Sequence, residues 1–281
     1  MSMKNRHVLG EAVRHLILII LALYTLAPLM FLFVNAFKSN NEIIASPVAL
    51  PEHWTLQYIK TAMEAINFGK ALGLTFIITF FSILLLVIVS SFAAWAMVRS
   101  KTILSNIVFL CFTAAMLVPF QSLMYPLLSV FEKIGLKNVQ GLILMYGGFG
   151  LSMSVFLYHG FIKSVPASLE EAAVLDGANL FQMFFKVVFP LLKGTTVTVI
   201  VLNGMWIWND YLLPFLVIGN KTGSKTLTLE LYFAKLTSGQ YGNPWELIFP
   251  AVFVTIIPII ILYIFLQKYI VAGVSEGAVK M

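Results

Sequence analysis

Apolar residues fall in long blocks separated by short polar stretches. A helix needs about 20 mostly apolar residues, rising about 1.5 Å each, to cross hydrocarbon. Blocks of that kind lie at 13–37, 71–98, 103–130, 140–162, 194–218 and 247–267. Each is read as a membrane-spanning helix, which predicts an all-α membrane protein of about six spans. Pro119 and Pro126 interrupt the third block, and Pro250 and Pro258 the sixth. Internal prolines are tolerated in membrane helices when neighbours satisfy the freed carbonyls, so they mark kinks or irregular packing. The first block follows Lys4, Arg6 and Arg14 and ends near Val34-Asn35-Ala36, like a cleavable leader. Its apolar run exceeds the roughly 7–15 residues of a leader's core, which favours a retained helix.

Composition agrees. Of 281 residues, 60% are hydrophobic and 11% charged, against about 45–50% and about 25% in soluble domains. No segment is polar enough to form a separate soluble domain. The net charge is +6, but the basic residues are scattered between apolar blocks and form no nucleic-acid patch. They are better read as topology signals. With the N-terminus inside, ten of the 18 lysines and arginines are cytoplasmic and eight external. The tight Arg99-Ser100-Lys101 turn supports that orientation. Cys111 is single, lies in an apolar block, and carries no information about compartment.

Two connections are long. The external one, 38–70, is punctuated by Pro47 and Pro51, with a short helix expected from Thr55. The cytoplasmic one, 163–193, is more informative. Pro166 suits a first helical turn. Ser168 with Glu171 predicts a capping box, or Ser164 a cap one turn earlier. Glu170 and Glu171 lie where the helix dipole favours acids. Gly177 fits a stop that needs positive φ. A second helix is expected from Asn179, with Pro190 opening the fifth span. A short helix held this way between two spans is suited to docking in a groove of a partner.

Glu171-Ala172-Ala173, then Asp176-Gly177-Ala178, then Pro190 resembles the EAA motif of binding-protein-dependent ABC importer permeases. Trp208-Asn209-Asp210-Tyr211 with Pro214 resembles the fifth-span signature of the carbohydrate-uptake class. Gln267-Lys268-Tyr269 and Gly277-Ala278-Val279-Lys280 resemble its ending, with Met281 where glycine is usual. Pro47, Pro51, Trp54 and Tyr58 resemble its first external loop. The resemblance covers nearly the whole chain and is greatest to the position of the shorter permease of the maltose importer.

This resemblance implies a type I importer fold and a division at 1–70 (first helix and external loop), 71–270 (transmembrane core) and 271–281 (cytoplasmic tail). It implies a second permease as heterodimer partner, a dimeric cytoplasmic ATP-binding subunit, and an external solute-binding protein. The chain would sit in a bacterial plasma membrane with both termini cytoplasmic. The ATPase-coupling set would be Glu170, Glu171, Ala172, Ala173, Asp176, Gly177, Ala178 and Pro190. Glu171 would pair with a basic ATPase residue, and ATP would be hydrolysed on that separate subunit. The solute would be a sugar or oligosaccharide. The same architecture also carries other solutes, such as glycerol phosphate.

Polar residues inside spans are costly and usually face protein or water. Gln121, Asn203, Trp206, Asn209 and Asp210, near Tyr146, are therefore candidates for a sugar pathway, with interhelical hydrogen bonding as the alternative. Residues 219–226 nearly match a phosphate loop, but Ser224 replaces its second glycine, and the stretch is read as a turn. His159 has no carboxylate within sequence reach, and it does not cluster with His7, His15 or His53, so no metal site, cofactor or catalytic constellation is visible. Gly69-x-x-x-Gly73 includes Lys70 at a span's edge and carries little weight. A gradient-driven transporter would favour paired intramembrane charges and inverted repeats, and neither is evident.

Overall fold

The computed structural model describes residues 3–219, 223, 225–238 and 243–278. Parts of the phosphate-loop-like stretch (220–222 and 224) and the end of the tail (279–281) lie outside the described residues. The described chain is helical: α1 (Met3–Asn35), α2 (Asn40–Ala45), α3 (Gln57–Ala65), α4 (Phe68–Ser100), α5 (Ile103–Ala115), α6 (Phe120–Lys133) and α7 (Val139–Ile162). Then follow α8 (Ser168–Leu175), α9 (Leu180–Met183), a π turn (Phe184–Val188), α10 (Phe189–Leu191), α11 (Lys193–Asn209), α12 (Leu212–Val217), α13 (Leu227–Ser238) and α14 (Trp245–Ala278). Among these residues four helices are long and apolar enough to cross a membrane, or six if each of two bent pairs is one span.

The bent pairs are where the helices depart from the apolar blocks. The block at 103–130 is not one rod: α5 and α6 meet at 106°. Pro119, at the N-cap of α6, has no N–H to continue α5, and it disfavours helical backbone at the preceding residue. Met116, Leu117 and Val118 close the corner with short-range bonds to Thr113, Ala114 and Ala115 carbonyls. Pro126, by contrast, lies inside α6 without ending it. The block at 194–218 is also divided. Asp210 is extended (φ −74, ψ 131) and separates α11 from α12. α14 runs unbroken past Pro250 and Pro258, and on through the residues read as the start of the tail.

The chain forms two compact units, 1–68 with 231–257, and 69–230 with 258–281. In the first, residues 10–31 of α1 are exposed along their whole length. Its small core joins Ala62 and Ile66 to Ala251 and Val254. The rings of Phe33, Phe37, Trp54 and Phe253 gather beside one another. The 38–70 connection is tied down by polar bonds. Lys38 is buried and donates to the carbonyls of Ser46 (3.0 Å) and Pro47 (3.4 Å). Ser39 and Glu42 form the capping box of α2. Backbone N–H groups of Ser39 and Glu52, then the Ser39 hydroxyl, hold the Glu42 carboxyl below its ordinary range. The short helix expected from Thr55 is α3.

In the second unit, α7 is the centre. Its Asn138 cap accepts from Gly141 N–H at 3.0 Å. Tyr158 donates to Thr196 at 2.9 Å, and Asn203 donates to Ser154 at 3.1 Å, joining α7 to α11. Small residues permit this approach: a Cβ on Gly150 would lie 2.5 Å from Asn203 Oδ1 and 2.7 Å from Leu86 Cδ1. Gly148, two residues earlier, has nothing within 4 Å of that position. Gly150→Ala should therefore cost about 1–3 kcal/mol through overpacking. Gly148→Ala should gain about 0.5–1 kcal/mol from helix propensity. Thermal unfolding of the two variants in detergent, side by side, checks the contrast.

Candidate functional site

The 163–193 connection is built as a rigid insert. After α7, Ser164 and Val165 bond back to the Phe161 and Ile162 carbonyls. Ala167 already has helical angles (φ −65, ψ −25) and accepts from the N–H groups of Glu170 and Glu171. The helix therefore starts one residue before Ser168 can cap it. The expected Ser168–Glu171 capping box does not form, and Ser164 instead donates to the Phe161 carbonyl.

The end of α8 is as its sequence predicts. Gly177 has φ +79, where a Cβ would be strained. Ala178 N–H bonds the Ala173 carbonyl at 2.9 Å, and Gly177 N–H the Val174 carbonyl at 3.0 Å. This is a Schellman stop. Asn179 and Gln182 then form a capping box that starts α9. The following turn widens to a π turn, with Phe189 N–H reaching the Phe184 carbonyl. Pro190 cannot donate and would crowd a carbonyl one α-turn back, and the wider turn relieves that. Pro190 thus sits in α10, and the span begins after a 76° bend, at Lys193.

The two adjacent glutamates have different surroundings. Glu170 is buried with Ala173 on the inner side of α8. Its Oε1 accepts from Arg99 Nε at 2.8 Å and lies 2.7 Å from Arg99 Nη2. Its Oε2 accepts from Trp95 Nε1 at 3.0 Å. Arg99 Nη2 also donates to the Val165 carbonyl at 3.0 Å. Trp95 and Arg99 are one turn apart on α4, so α8 is fastened to the end of that helix. Trp95 further packs on Phe184, in a core shared with Tyr158, Ile162, Val188, Leu192 and Val199. Glu171, Ala172 and Asp176 are exposed. So are Val174, Leu175 (88%) and Phe181 (65%), an apolar surface next to exposed acids. Ala178 is half-buried and Pro190 exposed.

The five candidate pathway residues separate. Asn203 is buried and bonded to Ser154 and to the Val199 carbonyl. Asp210 accepts from Tyr146 OH and from Leu212 N–H, each at 2.9 Å, and its carbonyl accepts from Thr228. These two hold helices together. Trp206 joins the Asp210 group, edge-on to Tyr146 at 5.4 Å, with its outer face exposed. Asn209 is exposed and bonds back to its own helix, at the Met205 carbonyl. Gln121, exposed in the first turn of α6, has no bond to the other four. His159 is buried and stacked on Phe109 at 3.6 Å. No cluster that could hold a metal ion exists among the described residues. Sequence reasoning missed Trp95 and Arg99. Their signal was an indole and a guanidinium four residues apart at the C-terminal end of a span.

Comparison with known proteins agrees with this architecture. The family described as binding-protein-dependent transport system inner membrane component matches residues 86–276, from mid-α4 to the end of α14. The chain is 43% identical to the probable starch degradation products transport system permease protein AmyC of Thermoanaerobacterium thermosulfurigenes, over 93% of this chain and 94% of that one. It is 35% identical to the multiple sugar-binding transport system permease protein MsmG of Streptococcus mutans, over 99% and 100%. A chain from the crystal structure of a bacterial ABC transporter that imports the acidic polysaccharide alginate superposes with a TM-score of 0.80 at 24% identity, covering 96% of this chain and 98% of that one. A latched, glycine-stopped helix between two spans, inside a region matched by one transport family, has one reading: the chain belongs to the binding-protein-dependent transport system inner membrane components, as a membrane-spanning permease subunit.

Proposed function

We propose that this chain is one permease half of an ATP-driven importer for a sugar or oligosaccharide. It pairs with a second permease and receives solute from an external binding protein. A cytoplasmic ATPase dimer drives it through α8, and both termini lie on the cytoplasmic side. The observation that carries this reading is the outward face of α8. Glu171, Leu175 and Phe181 are presented to solvent while Glu170 fixes the helix from within. An acid beside exposed apolar side chains suits a groove that offers a basic residue and an apolar floor. The relatives transporting starch breakdown products and multiple sugars support the substrate class. The fully exposed 10–31 segment of α1 supports a partner in the membrane.

Among the pathway candidates, Trp206, Asn209 and Gln121 have the accessible surface that sugar contact requires. Asn203 and Asp210 act as structural bonds between helices. Trp206→Ala should therefore leave the melting temperature nearly unchanged and reduce uptake, while Asn203→Leu should lower the melting temperature. Radiolabelled sugar uptake and thermal unfolding, measured on both variants, test the division.

The central test is affinity purification of the tagged protein in mild detergent from its own host, with mass spectrometry of what accompanies it. A P-loop ATPase and a second polytopic permease should co-elute. Glu171→Lys should release the ATPase selectively and retain the permease. Elution of the protein alone, under conditions that keep other such complexes intact, would overturn the proposal.

The two glutamates should also differ. Glu170→Ala strands Arg99 in a largely buried place and should cost about 3 kcal/mol of stability. Glu171→Ala should not move the melting temperature, yet should weaken ATPase binding about tenfold or more. Gly177→Pro should insert normally and abolish coupled uptake. Normal uptake by that variant at normal expression would refute the docking role of α8.

A further inference from the structure

Beside the latch, on the same unit, lies a cavity of about 540 Å³ lined by Arg99, Lys101, Asn106, His159, Lys163 and the Ser164–Ala167 turn. Among the described residues no acidic side chain lines it. Arg99 is paired with Glu170 at 2.7 Å, so that pair contributes little net charge. The remaining positive charge comes from Lys101 and Lys163. Neither has a carboxylate within 4 Å among the described residues. Lys163 Nζ sits 5.8 Å above the Phe109 ring, which steadies it without neutralising it.

Lys101 supplies an independent observation. Its backbone is left-handed, with φ +49. Glycine or asparagine suits such a corner, and a long side chain there is strained. Strain kept at one position points to a use for the side chain, and this side chain lines the cavity. Alongside, Ile103, Leu104, Ile107 and Leu110 of α5 expose a continuous apolar face. A basic cavity next to an apolar helix face, at a membrane boundary, matches the two parts of a lipid.

We propose that this cavity binds the phosphate headgroup of an anionic phospholipid, whose acyl chains lie along α5. Lys101 and Lys163 provide the charge, Asn106 provides a hydrogen-bond donor, and the occupied site braces the turn that leads into α8. The proposal rests on the reading that this loop lies at the cytoplasmic membrane surface.

The test uses the full chain, purified with any ATPase it retains, in phosphatidylcholine nanodiscs with and without phosphatidylglycerol. Native mass spectrometry counts retained lipid. The variant is Lys101→Gly with Lys163→Gln. Glycine relieves the corner, so the fold should survive, and the melting temperature in phosphatidylcholine alone checks that it does. Wild type should retain phosphatidylglycerol preferentially, and each lysine removed should weaken that retention about fivefold. Equal retention of both lipids by wild type, or unchanged phosphatidylglycerol retention by the folded variant, overturns the proposal. Displacement of the lipid by millimolar inorganic phosphate overturns the lipid as the ligand. ATPase co-purification is scored on the same samples, so absence of a lipid preference in wild type with the ATPase still bound counts against the lipid site alone, whereas wild type that brings no ATPase counts against the reading of α8.

Discussion

Hydrocarbon offers no partner for a peptide group, so a spanning chain must satisfy its backbone within helices or with side chains buried in protein. The long helices α4, α7 and α14 obey this by their own ladders. The breaks obey it through named groups. At the gap between α11 and α12, Asp210 takes Leu212 N–H on its carboxylate, and Thr228 caps the Asp210 carbonyl. At the start of α13, Leu227 N–H is taken by Thr75 of α4 at 2.9 Å. At Pro190 the ladder widens rather than opens. The polar side chains inside this protein are first of all the means by which interrupted helices remain possible. Asn203 and Asp210 illustrate it: both are at candidate pathway positions, and both have their principal bonding capacity committed to neighbours.

How much of this was legible in the sequence follows from the same physics. The spans were legible because lipid demands long apolar blocks, and the block at 140–162 differs from α7 by one residue. The corner between α5 and α6 was not, because hydropathy carries no direction. Residues 116–118 are as apolar as their flanks, and Pro119 looks like Pro126 until the structure shows which one ends a ladder. Capping signatures behaved the same way. Ser39-x-x-Glu42 and Ser168-x-x-Glu171 are equivalent on paper. The first forms its box because Ser39 is extended (ψ 160). The second cannot, because the turn through Pro166 and Ala167 has already made Ser168 helical. Gly177 was legible because a Schellman stop is local: every atom it needs lies within six residues.

The division of labour between Glu170 and Glu171 shows the limit most clearly. Neighbouring residues on a helix point about 100° apart, so only one of them can meet α4. Which one does depends on Trp95 and Arg99, which come seventy residues earlier. Nothing in the motif itself contains that information. A loop motif can state what is offered to a partner, while the choice of what is kept inside is written elsewhere in the chain.

A buried ion pair is weak evidence for stability, since desolvation offsets much of its attraction. Its value here is geometric. Arg99 holds the Glu170 carboxylate and the Val165 carbonyl with one guanidinium, and the Trp95 indole fixes the second carboxylate oxygen. Three directional bonds leave α8 little freedom to swivel against α4. On its other side, the loop is held through Phe184 and Val188 in the core that contains Tyr158 of α7 and Val199 of α11. A push on the exposed face of α8 therefore reaches three long helices together. A connector joined only through its chain ends would absorb the same push by bending. An apolar latch of equal stability would hold α8 nearby without fixing its angle, which explains why a costly polar group occupies the inner face of so short a helix.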